Sequence, residues 1–168
     1  MKLYTVVRQE FTNDEDVSDL ITTICPDASE LEKIPQGATL YNIVFKSEHS
    51  QAFLNKETLQ RLLSAAQKLK KMSGQPILQV NNAYRSVNQQ LFLYENRGTN
   101  LGCEPKTGEC NCPHMSGKAV DVVCANKTKG SADPCQDLII EAMREAGFCN
   151  LKKEPWHFEF PKASSDCF

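Results

Sequence analysis

Eight cysteines in a chain of 168 residues narrow how this protein can fold more than any other feature. They stand at Cys25, Cys103, Cys110, Cys112, Cys124, Cys135, Cys149 and Cys167. A chain of this length buries roughly 70% of its unfolded surface, so a core forms without staples. The even count therefore points to one of two uses: disulfides made in an oxidising compartment, or thiols that bind metal. Eight cysteines allow on the order of a hundred pairings, and spacing does not choose among them.

Charge excludes one class of partner. With 19 basic against 21 acidic residues and a net charge of −2, the chain lacks the basic excess that drives phosphate binding, so no nucleic acid is expected. Apolar runs such as Leu138-Ile139-Ile140 fall far short of the roughly 20 residues that span a bilayer. Met1-Lys2-Leu3-Tyr4 is followed by Arg8, Glu10 and Asp14, without the apolar stretch of a secretory signal. An exported form would be already processed or would leave the cell by another route, such as phage-type release. The length fits one domain with room for a small appendage, and a monomer is the expectation.

Periodicity defines the elements. Leu59, Leu62, Leu63, Ala66 and Leu69 recur at helical spacing between Asn55 and Gly74, with Gly74 placed as a terminating residue. A second helix is predicted from Asp133, through Pro134 at its first position and Gln136 at its third, to Gly147. Its apolar stripe is Cys135, Leu138, Ile139, Ala142, Met143 and Ala146. A shorter helix opens at Ser86 and fades by Gly98. Strands are predicted over 39–45, 77–82, 118–124 and 156–160, which are rich in Val, Ile and aromatics. The interleaving lacks regular βαβ units, so the expected class is α+β, a largely antiparallel sheet with helices packed on one face. The Gly, Pro and Cys content of 99–113 marks an irregular loop tied by its own cysteines.

Residues 1 to about 45 read as a strand at Tyr4-Thr5-Val6-Val7, short helices over 16–24 and 28–34, and a turn through Pro35-Gln36-Gly37 into another strand. This order resembles the LysM glycan-binding module. The alternative is an N-terminal extension packed on the main domain, which would occupy 46–168.

Two of the three histidines stand in contexts that suit a metal site. Asp121 follows His114 by seven residues, and in a strand it shares a face with Ala119 and Val123, where a half-buried carboxylate needs a partner. An arginine would satisfy that need as well as a metal would. In Glu154-Pro155-Trp156-His157-Phe158-Glu159-Phe160, period two places His157 and Glu159 on one face and Trp156, Phe158 and Phe160 in the core. If His114, Asp121 and His157 converge, they make a two-nitrogen, one-oxygen set with a fourth tetrahedral position open, the pattern of catalytic zinc. Glu154 is then the natural general base. Arg85, at a strand–helix junction, could supply the positive donor that a developing oxyanion needs, or be a surface arginine at a helix start. His49 is expected to be exposed, and Glu159 either orients a ligand or faces solvent.

These segments, Tyr84-Arg85-Ser86 with Gln90, His114-x-x-Gly117-x-Ala119-x-Asp121 and Glu154-Pro155-Trp156-His157, occur in the order seen in a known family. The chain from about 55 to 160 resembles the zinc D-Ala-D-Ala carboxypeptidases, among them the vancomycin-resistance D,D-peptidases, which share their fold with the hedgehog signalling domain. The resemblance implies one catalytic zinc held by His114, Asp121 and His157, with Glu154 as base and Arg85 on the scissile carbonyl or its oxyanion. It implies a substrate, the peptidoglycan stem peptide, cut most often at D-Ala-D-Ala, and therefore action outside the cell, in the cell wall or in the periplasm. Tyr84 would line the substrate cleft. Two alternatives share the same residues: an endolysin-type L-Ala-D-Glu endopeptidase, and a non-catalytic zinc-bound cell-wall recognition module. Where the family usually carries a substrate-site serine, two residues before the first histidine, this chain has Cys112. A disulfide there would replace that contact, and a thiolate would compete for the metal.

Overall fold

A computed structural model describes residues 31–47, 49–96, 103–105, 111–125 and 134–161. The strand and helix expected over 4–24, and with them most of the module-like order of the N-terminus, lie outside the described residues, as does Asp133.

The elements run β1 (Leu31–Lys33), β2 (Ile43–Phe45), β3 (Phe53–Asn55), α1 (Lys56–Lys70), β4 (Leu78–Asn82), α2 (Val87–Asn96), a 3-10 turn (Pro113–Ser116), β5 (Ala119–Cys124), α3 (Pro134–Glu145), β6 (Cys149–Leu151) and β7 (Glu154–Glu159). The main sheet has the order β2-β4-β5-β7-β6, and every neighbouring pair but β2–β4 is antiparallel. β1 and β3 form a separate antiparallel pair. The protein is α+β, as the spacing of its apolar residues predicts.

One face of the sheet carries the core. Leu78, Val80, Val122 and Phe158 pack against Leu59, Leu62, Ala66 and Leu69 of α1 and Ile139, Ala142 and Met143 of α3. Asn55 caps α1 by accepting from Glu57 N–H. α3 closes at Gly147, whose φ of +98° lets Phe148 N–H reach back to Met143 O, a Schellman arrangement that favours glycine. Phe148 then meets Phe158 and Phe160 edge to face. Ile34 and Ile43 join the same core, and β2 pairs with β4 at the edge of the main sheet.

Several expectations change. Leu31–Lys33 is a strand rather than part of a helix, because it pairs with Phe53–Asn55. The strand expected from Thr39 begins only at Ile43. Asn42 takes a φ of +59°, which breaks the extended run, and its buried amide donates to Ala66 O and Pro76 O. α1 ends at Lys70, short of Gly74. Gln136, at the third position of this helix, reaches across to the sheet: its amide accepts from Cys124 N–H and donates to Val122 O and Pro155 O. Trp156 is 43% exposed, not in the core. It lies in the stretch of β7 where the β6–β7 pairing is irregular, so plain alternation is interrupted there.

Candidate active site

Strand alternation builds the site on the sheet face opposite the core. Val120 and Val122 point to the helices, so Asp121 points away from them. On β7, Phe158 is in the core and His157 faces the other way. Asp121 and His157 are Cα partners across β5 and β7, so they meet as a cross-strand pair with His157 Nδ1 2.8 Å from Asp121 Oδ1. Ala119 opposes Glu159 one step along, and its small side chain leaves Glu159 room to place Oε1 2.9 Å from His157 Nε2.

His114 and Arg85 arrive from loops that the sheet redirects. The β4–β5 register shifts between Val80 and Asn82, a bulge that turns the chain after Asn82 toward the site. The backbone then ties the two segments together: Arg85 N–H donates to His114 O, and Tyr84 N–H to Phe53 O. Gly117 ends the 3-10 turn at a φ of +71°. A Cβ there would collide with Leu31 and sit 3.0 Å from Asn55 N, whose N–H donates to Gly117 O, so only glycine fits between His114 and the start of β5.

The three expected ligands converge. One ligand atom from each of His114, Asp121 and His157 lies within 4.8 Å of the other two, and all three residues are buried. His114 Nδ1 is 2.7 Å from Ala83 O, and a carbonyl only accepts, so this nitrogen carries the proton. Burial pushes the His114 imidazole below its ordinary pKa, against the pull of Asp121, so the ring is neutral and Nε2 is bare. That bare nitrogen faces Asp121 Oδ1 at 3.3 Å. Two acceptors turned toward each other in a buried site leave a place for a cation, and about 3.3 Å is the ligand–ligand spacing that zinc bonds of roughly 2.0–2.1 Å give in a tetrahedron. The set thus fits a divalent metal.

His157 behaves differently. Burial lowers its pKa, but hydrogen bonds to Asp121 and Glu159 outweigh burial and raise it to about 9, so without metal it is an imidazolium between two carboxylates. Asp121 is held well below the carboxylate range: burial opposes this, but the hydrogen bond and charge of the His157 imidazolium prevail. Arg85 Nη2 lies 3.7 Å from Asp121 Oδ2 and its Nη1 donates to Gln90 Oε1, while Gln90 Nε2 donates to Cys103 O. Glu154 sits at the rim, half-exposed, with Oε2 4.0 Å from His157 Nδ1.

Cys112 is buried and disulfide-bonded to Cys103, packed with Val87 and Met115, so it presents no thiol to the metal or to a substrate. Burial pushes the Tyr84 hydroxyl up to about 12. His49 lies in the β2–β3 loop, its N–H donating to Lys46 O. Cys124 pairs with Cys135, Cys149 is also disulfide-bonded, and among the described residues no cysteine is free. Sequence reasoning gave no role to Gln90, to the Ala83 carbonyl or to Asn150. Only Gln90 carried a signal, as part of the Tyr84-Arg85-Ser86 segment.

No family model matches the chain, and no curated protein matches it. Among solved structures, it is similar to that of the LdcB LD-carboxypeptidase, described as revealing the molecular basis of peptidoglycan recognition. The two share 22% identity at a TM-score of 0.57, over 78% of this chain and 67% of that one. At this identity the likeness is one of fold. No described helix is long and apolar enough to cross a membrane.

Proposed function

We propose that this protein is a zinc-dependent peptidase of peptidoglycan stem peptides. The observation that carries the reading is the bare Nε2 of His114 turned onto the Asp121 carboxylate beside His157, three buried ligand groups brought together with an orienting hydrogen bond on the far nitrogen of each imidazole. The fold shared with a peptidoglycan-recognising carboxypeptidase supplies the substrate class. His114, Asp121 and His157 would hold the ion, which when bound lowers the pKa of a water toward 7 and polarises a carbonyl.

The chain's own groups do the rest. Arg85, oriented by Gln90, donates to the scissile carbonyl oxygen and stabilises the negative charge that builds there. Glu154 is open to solvent and close to His157, so it takes a proton from the attacking water. The water oxygen bonds to the carbonyl carbon, the C–N bond breaks, and Glu154 passes the proton to the leaving amine. Products are a carboxylate and a free amine. Tyr84 lines the approach; Cys112 contributes through its backbone and the Cys103 disulfide. Disulfides of this density support action in an oxidising space, outside the cell or in the periplasm.

The sequence motifs favour the D-Ala-D-Ala bond, and the structural neighbour's own name favours an L,D bond. Mass spectrometry of a digested synthetic stem pentapeptide separates them: loss of one D-Ala supports the D,D-carboxypeptidase, and loss of the D-Ala-D-Ala pair the L,D cut. An internal cut after L-Ala would indicate the endopeptidase, and binding of muropeptides without any cut the recognition module. Glu154→Ala is expected to retain zinc and lose turnover, whereas His157→Ala loses both. Wild-type activity in either variant refutes the assignment.

A further inference from the structure

The segment that carries both the base and the third ligand is poorly served by its own sheet. β6 and β7 pair at Asn150 with Phe158 and at Leu151 with Glu154, so Pro155, Trp156 and His157 all stand opposite a single step of β6. Pro155 has no N–H, and the backbone carbonyls that this irregularity turns toward β6 need donors that the ladder does not supply. One side chain supplies them. Asn150 is 5% exposed, and its Nδ2 lies 3.1 Å from His157 O, 3.2 Å from Pro155 O and 3.5 Å from Glu154 O. Gln136, from the first turn of α3, adds a second amide on Pro155 O at 3.2 Å.

We propose that Asn150 is a positioning residue for the site: its amide donates to the carbonyls of His157 and Pro155, with Glu154 O at the limit of its reach, and so fixes where the Glu154 carboxylate and the His157 imidazole stand relative to each other and to Asp121. It touches no substrate. Its effect is indirect, through a backbone that lacks a regular partner in β6 over three residues, and small displacements of a base or ligand are costly in rate. Gln136 holds the same backbone from the helix side, which makes Asn150 the contact specific to the hairpin.

The role in turnover rests on the zinc-peptidase reading, while the role in ligand placement does not. The test compares Asn150→Ala, Asn150→Asp and Asn150→Ser with wild type for zinc affinity by chelator competition, the visible spectrum of the cobalt-substituted protein, stem-peptide kinetics and thermal stability. Ile139→Val, a core change on α3, is the control for stability alone. Asn150→Ala and Asn150→Asp are expected to weaken zinc binding by about tenfold or more and to alter the cobalt spectrum. They should also lower kcat by about tenfold or more with KM little changed. Asn150→Ser, which retains one donor, should fall between them and wild type, and Ile139→Val should lower Tm alone. Asn150→Ala with wild-type zinc affinity and cobalt spectrum overturns the proposal, whatever its Tm. If wild type cleaves no stem peptide while the variants still lose metal affinity, the peptidase reading fails and the positioning role stands. Should the variants not fold, hydrogen exchange of the Asn150 side-chain amide in wild type decides: slow exchange supports the grip, and exchange at the rate of an exposed asparagine overturns it.

Discussion

Metal-free protein should carry one histidine that refuses to lose its proton at neutral pH. His157 lies between Asp121 Oδ1 at 2.8 Å and Glu159 Oε1 at 2.9 Å, and the two carboxylates raise its pKa from 6.5 to about 9 despite burial. In the folded state the proton is held more tightly than in the unfolded chain, and the difference is worth about 3 kcal/mol. Because the folded pKa is the higher one, this stability is fully present below pH 6.5 and is lost as pH rises through about 9. Urea unfolding of chelator-treated protein should therefore weaken across pH 6.5–9, with the loss reduced in Glu159→Gln. NMR titration offers the direct view, since the chain has only three histidines. One ring should titrate near 9, and His114 should stay neutral well below 6.5. If every histidine titrated at or below 7 in the metal-free protein, the placement of His157 between two ionised carboxylates would be wrong.

Other perturbations probe neighbouring contacts. Arg85→Lys keeps the charge but loses the fork that engages Gln90 and Asp121, so kcat should fall about a hundredfold, whereas retained kcat in a peptidase assay would remove Arg85 from the carbonyl site. Glu159→Gln should weaken zinc binding by about 10–100-fold, because the group that orients His157 loses its charge; unchanged affinity in chelator competition would make Glu159 a bystander. Gly117→Ala should cost about 1–3 kcal/mol in urea unfolding, since it forces a side chain into a left-handed turn against Leu31 and Asn55, and a neutral result would contradict the packing there.

Much of the site was legible because it is built on alternation. The pattern through Val120, Asp121 and Val122, and that through His157, Phe158 and Glu159, assign faces without knowledge of the rest of the chain, and the structure places Asp121 opposite His157 as those faces allow. The same rule failed at Trp156, because the irregular β6–β7 pairing interrupts plain alternation there. Leu31–Lys33 is strand only through its pairing with β3, a tertiary effect that local propensity does not carry. Gln136 shows what local helix logic leaves out: a residue at a helix's third position also finds partners across the sheet. Amides such as Asn150 and Gln90 left little trace in the sequence, since their partners are other groups fixed by the fold. The pairings Cys103–Cys112 and Cys124–Cys135 likewise follow from folded geometry and not from spacing.

The central claim is that His114, Asp121 and His157 together hold one metal ion. Zinc-edge X-ray absorption on protein loaded with a single equivalent of zinc tests it most directly, alongside metal content of the His114→Ala, Asp121→Ala and His157→Ala variants. The account predicts one tightly held zinc per chain, a first shell of nitrogen and oxygen with the outer-ring signature of two imidazoles, and loss of the metal in each variant. A shell containing sulfur, or zinc retained in full after any of the three substitutions, would contradict it.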